Sequence, residues 1–135
     1  MKPGKLTIEQ LKTFDTPQIA HKKLISFLEK YVDRYNKLDK FQPAGYNVGF
    51  DCDFLASQFK KIGDKYFGAW IDYHKIDCAT LVHLLQLKKV LNLSGYKLVN
   101  VAKEFNIEIE AHNAMSDIKA TRELFYKILD RIEIK

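Results

Sequence analysis

A chain of 135 residues, 47% hydrophobic and 29% charged, suits one globular domain that buries roughly two-thirds of its unfolded surface, and it excludes disordered, collagen-like and disulfide-framework classes. The net charge of +5 is a modest, lysine-dominated excess; it is compatible with a phosphate-backbone partner, while pairs such as Lys22-Lys23 and Lys88-Lys89 equally suit solvated helix faces. No apolar run approaches the roughly 20 residues that span a bilayer, and the start lacks a secretory apolar stretch, so the expectation is a cytoplasmic protein without a membrane partner and with Cys52 and Cys78 as buried free thiols.

In chain order, Thr7-Ile8-Glu9-Gln10 fits a capping box and predicts a short helix to about Thr13. Thr16 before Pro17 reads as an N-cap with proline at the first helical position. The helix it opens is expected to reach about Asn36, with Ala20, Leu24, Phe27, Leu28, Tyr31 and Tyr35 as its buried stripe. Phe41 to Val48 reads as a buried strand, since Pro43 and Gly45 argue against a helix. Phe54, Leu55, Phe59 and Ile62 mark the next helix, stopped by Gly63. Asp51 thus falls where a strand gives way to a helix, the kind of place where open α/β sheets bind ligands; a helix-start acid is the plainer alternative.

Tyr66 to Tyr73 is expected to be extended or loop, and His74 to Asp77 a second short strand. Ile76, Thr80, Leu84, Leu87 and Leu91 outline a helix to about Asn92, and Leu98, Val101, Ala102 and Phe105 a compact one ending near Asn106. Two strands separated by a helix should pair in parallel. Two strands also make a poor sheet, which implies that strands are missing or supplied elsewhere.

The final helix is the most periodic: Ile118, Thr121, Leu124, Phe125, Ile128, Leu129 and Ile132 recur at steps of three and four. Asn113 is its expected N-cap, leaving His112 just outside and Asp117 in the first turns. This spacing suits a base beside a metal carboxylate. A surface histidine and an acid favoured by the helix dipole are the alternative.

Two segments together resemble the DEDDh 3′-to-5′ exonucleases, the family of the proofreading epsilon subunit of bacterial DNA polymerase III. Gly45 to Leu55, with Asn47, Phe50 and Asp51 inside it, looks like the family's second motif, and His112 to Asp117 with Ala120-Thr121 looks like its third. The resemblance covers about residues 17–132. It implies an RNase H-like α/β fold and phosphodiester hydrolysis at DNA or RNA 3′ ends with two divalent ions, Mg2+ or Mn2+. It further implies that Asp51 and Asp117 are metal carboxylates, that His112 is the general base, and that Asn47 and Phe50 lie against the substrate, although a core aromatic is an equally natural reading of Phe50.

The family's first motif, Asp-x-Glu on an early strand, has no counterpart. Phe14-Asp15-Thr16-Pro17 imitates it, but Pro17 stands where the glutamate belongs and Leu6 to Thr13 reads as a helix. The expectation is therefore a single domain, residues 1–135, equivalent to the carboxyl-terminal two-thirds of the family's, without the first three strands. Three readings stay open: an exonuclease whose missing motif lies upstream, on a polymerase or on a second chain; a non-catalytic nucleic-acid-binding or assembly module; and an unrelated α/β interaction domain.

Overall fold

The computed structural model describes residues 6–110 and 112–132. The chain divides into two compact units, one built from residues up to Pro43 with Gly49–Lys75 and the other from Ala44–Val48 with the residues from Ile76 onward.

In the first unit, α1 (Ile8–Lys12) opens with the expected capping box: Thr7 Oγ1 accepts the Gln10 N–H at 3.2 Å and Gln10 Oε1 accepts the Thr7 N–H at 2.8 Å. α2 (Pro17–Leu28) starts at the Thr16 cap, whose hydroxyl accepts the Ile19 N–H at 3.3 Å. It stops well short of Asn36. Lys30 and Tyr31 donate to carbonyls three residues back, the tightened pattern of a helix end. Beyond it the acids bind the backbone themselves, Asp39 accepting the Asp33 N–H at 2.8 Å and Asp33 the Tyr35 N–H at 3.0 Å, a local alternative to helix. The expected stripe holds in part: Leu28 is buried and Leu24 half-buried against the core, with His21 and Val32 buried beside them, whereas Ala20, Phe27, Tyr31 and Tyr35 face water.

Phe41 to Val48 is likewise not one strand. Phe41 makes an isolated parallel bridge to Ile71, Pro43 has no N–H to donate, and only Ala44–Gly45 is strand. α3 (Val48–Ile62) ends at Gly63, whose φ of +83° is the left-handed cap that glycine adopts without a Cβ penalty. A short helix, α4 (Phe67–Trp70), stands where loop or strand was expected. Leu28, Val32, Phe59 and Trp70 form this unit's core, with Phe67 packed edge-on to Phe59 at 5.3 Å.

In the second unit β1 (Ala44–Gly45) and β2 (Ile76–Asp77) pair in parallel, Ala44 opposite Ile76 and Gly45 opposite Asp77. α5 (Cys78–Leu87) buries Cys78, Val82 and Leu85, while Leu84 and Leu87, expected on the core face, are 51% and 70% exposed. Apolar residues occupy both sides of this helix, so periodicity alone does not select the inward face. Lys89, at φ +58°, ends it before Asn92. α6 (Leu98–Glu104) and α7 (Ala114–Arg131) complete the unit. Val82, Val101, Leu124 and Ile128, all without exposed surface, are the centre of its core. Cys52 and Cys78 are buried free thiols.

Candidate functional site

The residues singled out from the sequence lie in both units, and each group has its own surroundings. In the first unit Asp51 is exposed in the first turn of α3. Phe50 is 75% exposed and stacks at 6.5 Å on Phe54, itself 72% exposed, so Phe50 is no core aromatic. Asp15, the imitation of the first motif, is ion-paired with Lys23 at 2.6 Å near the start of α2.

In the second unit His112 and Asp117 both lie at the start of α7, His112 just before its cap and Asp117 in its first turn. Asn113 caps the helix as expected, its side-chain oxygen accepting the Met115 and Ser116 N–H groups at 3.1 and 3.2 Å. The Asp117 N–H donates to the Asn113 carbonyl at 2.8 Å, which fixes Asp117 in the first turn. Thr121 Oγ1 donates to the Asp117 carbonyl at 2.8 Å. Ser116 Oγ accepts the Glu110 N–H at 2.8 Å and so ties the incoming chain to the helix start. His112 is exposed just before the cap, with φ +67°. That is the left-handed region, in which a side chain is strained by about 1–2 kcal/mol.

Asn47 shares this backbone class, at φ +56°, and is exposed. It is held by a residue the sequence reading passed over. Asp77 Oδ1 accepts the N–H of Asn47 at 2.9 Å and that of Ala79 at 3.0 Å, so one oxygen ties the loop after β1 to the start of α5. An acid directly before a helix was the available signal. The turn between them is tight: a Cβ on Gly45 would meet Val48 Cβ at 3.0 Å. Beside it the Tyr46 hydroxyl donates to the Tyr96 carbonyl. Burial first, and then the Asp77 carboxylate, pushes the Tyr46 hydroxyl up to about 12. The same two causes push the Cys78 thiol up to about 11, so it is a neutral packing group.

Among the described residues no three His, Cys, Asp or Glu side chains gather into a set that could hold a metal ion. The donors present therefore do not make a finished divalent-ion site. Among them also, no helix is long and apolar enough to cross a membrane.

Residues 7–125 match the family model RNase_T, described as Exonuclease. The chain belongs to the exonuclease family. Membership carries with it the RNase H-like α/β class, and the parallel β1–β2 pair among helices is consistent with that class. This exonuclease-family chain is also 27% identical over 146 residues to the DNA polymerase III PolC-type of Caldanaerobacter subterraneus subsp. tengcongensis, an alignment covering 96% of the chain and 10% of that protein. The chain thus spans about a tenth of the length of the curated relative it matches. No solved structure matches it.

Proposed function

We propose that this chain is the part of a 3′-to-5′ exonuclease domain that carries the second and third motifs, and that the assembled domain hydrolyses phosphodiester bonds at nucleic-acid 3′ ends. The observation behind this reading is the family match, which runs through both units and includes Asp51, His112 and Asp117; on that ground the units are taken as parts of one domain. Asp51 and Asp117 are assigned as carboxylate ligands of a divalent-ion site, with magnesium or manganese as the ions suited to oxygen donors. His112 is assigned as the base that removes a proton from the attacking water, since imidazole changes charge near neutral pH. Its exposure and its place before a capped helix leave the ring free to face a substrate. Asn47 and the exposed Phe50 are assigned to substrate, Phe50 offering a ring on which a terminal base can stack.

The sequence contains no Asp-x-Glu anywhere, and the described acids do not gather into an ion site. The remaining carboxylates, and the first three strands of the fold, are accordingly proposed to come from a preceding segment or another chain, with a polymerase as the natural partner given the PolC-type relative. The same two observations favour a second reading, in which the chain by itself is a non-catalytic nucleic-acid-binding or assembly module.

One experiment addresses both. The chain alone, incubated with manganese and a 3′-labelled oligonucleotide, is expected to release no nucleotide. With a segment bearing the Asp-x-Glu strand supplied ahead of it, release from the 3′ end is expected, and His112→Ala is expected to reduce it by about 10²-fold or more. Unchanged release in that variant removes His112 as the base, and clear activity of the isolated chain refutes the module reading.

A further inference from the structure

A row of exposed aromatic and basic side chains lies wholly within the first unit and uses none of the motif residues. Phe27, Tyr31 and Tyr35 are 52%, 64% and 84% exposed, and the Phe27 and Tyr31 rings are 5.3 Å apart. The Arg34 guanidinium lies over three rings at once, 5.1 Å from the centre of Tyr35, 4.8 Å from Tyr66 and 5.8 Å from Trp70. It makes no ion pair among the described residues. Residues 29–35 and Trp70 bound a groove of about 450 Å³ here. Trp70, in its wall, has a buried indole N–H with no acceptor among the described residues.

Large rings left in water are unfavourable unless something covers them. Here they are interleaved with Lys30 and Arg34, and the Arg34 guanidinium lies within 6 Å of three ring centres with no carboxylate in ion-pair contact among the described residues. A guanidinium packed that way keeps its edge N–H groups for phosphate oxygens, while free aromatic faces are what unpaired bases stack on. Glu29 and Asp33 share the rim with Lys30 and Arg34, so the row is close to neutral. Stacking, more than charge, therefore decides what it holds.

We propose that this row is a binding strip for single-stranded nucleic acid, with bases stacked on Tyr31 and Tyr35 and a phosphate on Arg34. The strip rests on the exonuclease reading only for nucleic acid as the ligand class.

Trp70 is the chain's single tryptophan and borders the groove from the core, so its emission is a secondary probe beside an end label on the strand. The full chain is titrated with oligothymidylate and oligouridylate of about 12 nucleotides, a length within the usual site size of such platforms, following Trp70 emission and the anisotropy of an end label. Saturable change in both signals is expected, and the two probes distinguish DNA from RNA as the natural strand. Tyr35→Ala, at a site too exposed to disturb folding, is expected to weaken binding about tenfold, and Tyr35→Trp to restore it. Arg34→Gln is expected to weaken binding and to lower the salt slope by about 0.7, the loss of one phosphate contact. No saturable anisotropy change with either probe, or unchanged binding in both Tyr35→Ala and Arg34→Gln, overturns the strip. Loss of binding in these variants with no cleavage by the assembled domain sinks the exonuclease reading alone; cleavage with unchanged binding sinks the strip alone.

Discussion

His21 and Asp64 show how strongly single side chains set the first unit. The His21 ring is 8% exposed, its Nε2 lies 2.8 Å from Asp64 Oδ2, and its other nitrogen has no partner among the described residues. Burial alone would raise the Asp64 carboxyl, but the Tyr66 N–H, the His21 ring and Arg34 together hold it below its ordinary value of 3.8. The folded state therefore binds this proton more weakly than the unfolded one. Its contribution to stability is complete above the ordinary value and disappears as pH falls through the lower folded value. Asp64→Asn is expected to cost about 1–3 kcal/mol at neutral pH, because the buried ring loses its charged partner, and to flatten the acid limb of a urea-denaturation series below pH 3.8. An unaltered acid limb in the variant would show that other carboxylates govern it. His112 invites a different substitution. Its φ of +67° suits glycine better than any side chain, so His112→Gly is expected to raise stability by about 0.5–1 kcal/mol while removing the proposed base. A loss of stability would mean that the ring makes favourable contacts which outweigh the backbone strain.

At the level of elements, α7 tests whether the core face has been read correctly. Leu124 has no exposed surface and Leu129 is 45% exposed, although both belong to the expected apolar stripe. Leu124→Ala is expected to cost about 2–5 kcal/mol and Leu129→Ala under about 1 kcal/mol, measured by chemical denaturation; equal costs would contradict the burial. The caps were the most legible part of the sequence. Thr7, Thr16 and Asn113 act as predicted because a cap depends on a few neighbouring atoms. Helix ends and faces were less so. α2 stops at Leu28 because Asp33 and Asp39 bind backbone amides that a longer helix would need, and the periodicity of Phe27, Tyr31 and Tyr35 marked a solvent-facing row instead of a buried one. α5 carries leucines all round, so only tertiary packing selects Val82 and Leu85 over Leu84 and Leu87. The parallel strand pair was foreseen, yet at two residues each, since Pro43 interrupts the first. Of the site, the capped start of α7 was legible from local spacing; the local signal of an acid before α5 marks Asp77 as a cap, but its hold on Asn47, 30 positions earlier, has no trace in local spacing.

For the whole molecule, the proposal that strands come from elsewhere has a physical signature. Large apolar side chains are exposed in the second unit, among them Leu84, Leu87, Ile118 and Met115, and strands packed on them would take that surface out of water. The chain alone is expected to bind a hydrophobic dye such as ANS, and supplying the Asp-x-Glu segment is expected to suppress that signal; dye binding unchanged by an active assembly would place the apolar surface outside the completed fold. The two-rung strand ladder itself adds little rigidity. The loop bearing Asn47 is instead pinned by the lone Asp77 oxygen that also fastens the first turn of α5. Cutting that tether with Asp77→Ala would let the loop drift with every proposed reacting group still in place, a way to disarm the proposed site without touching its chemistry.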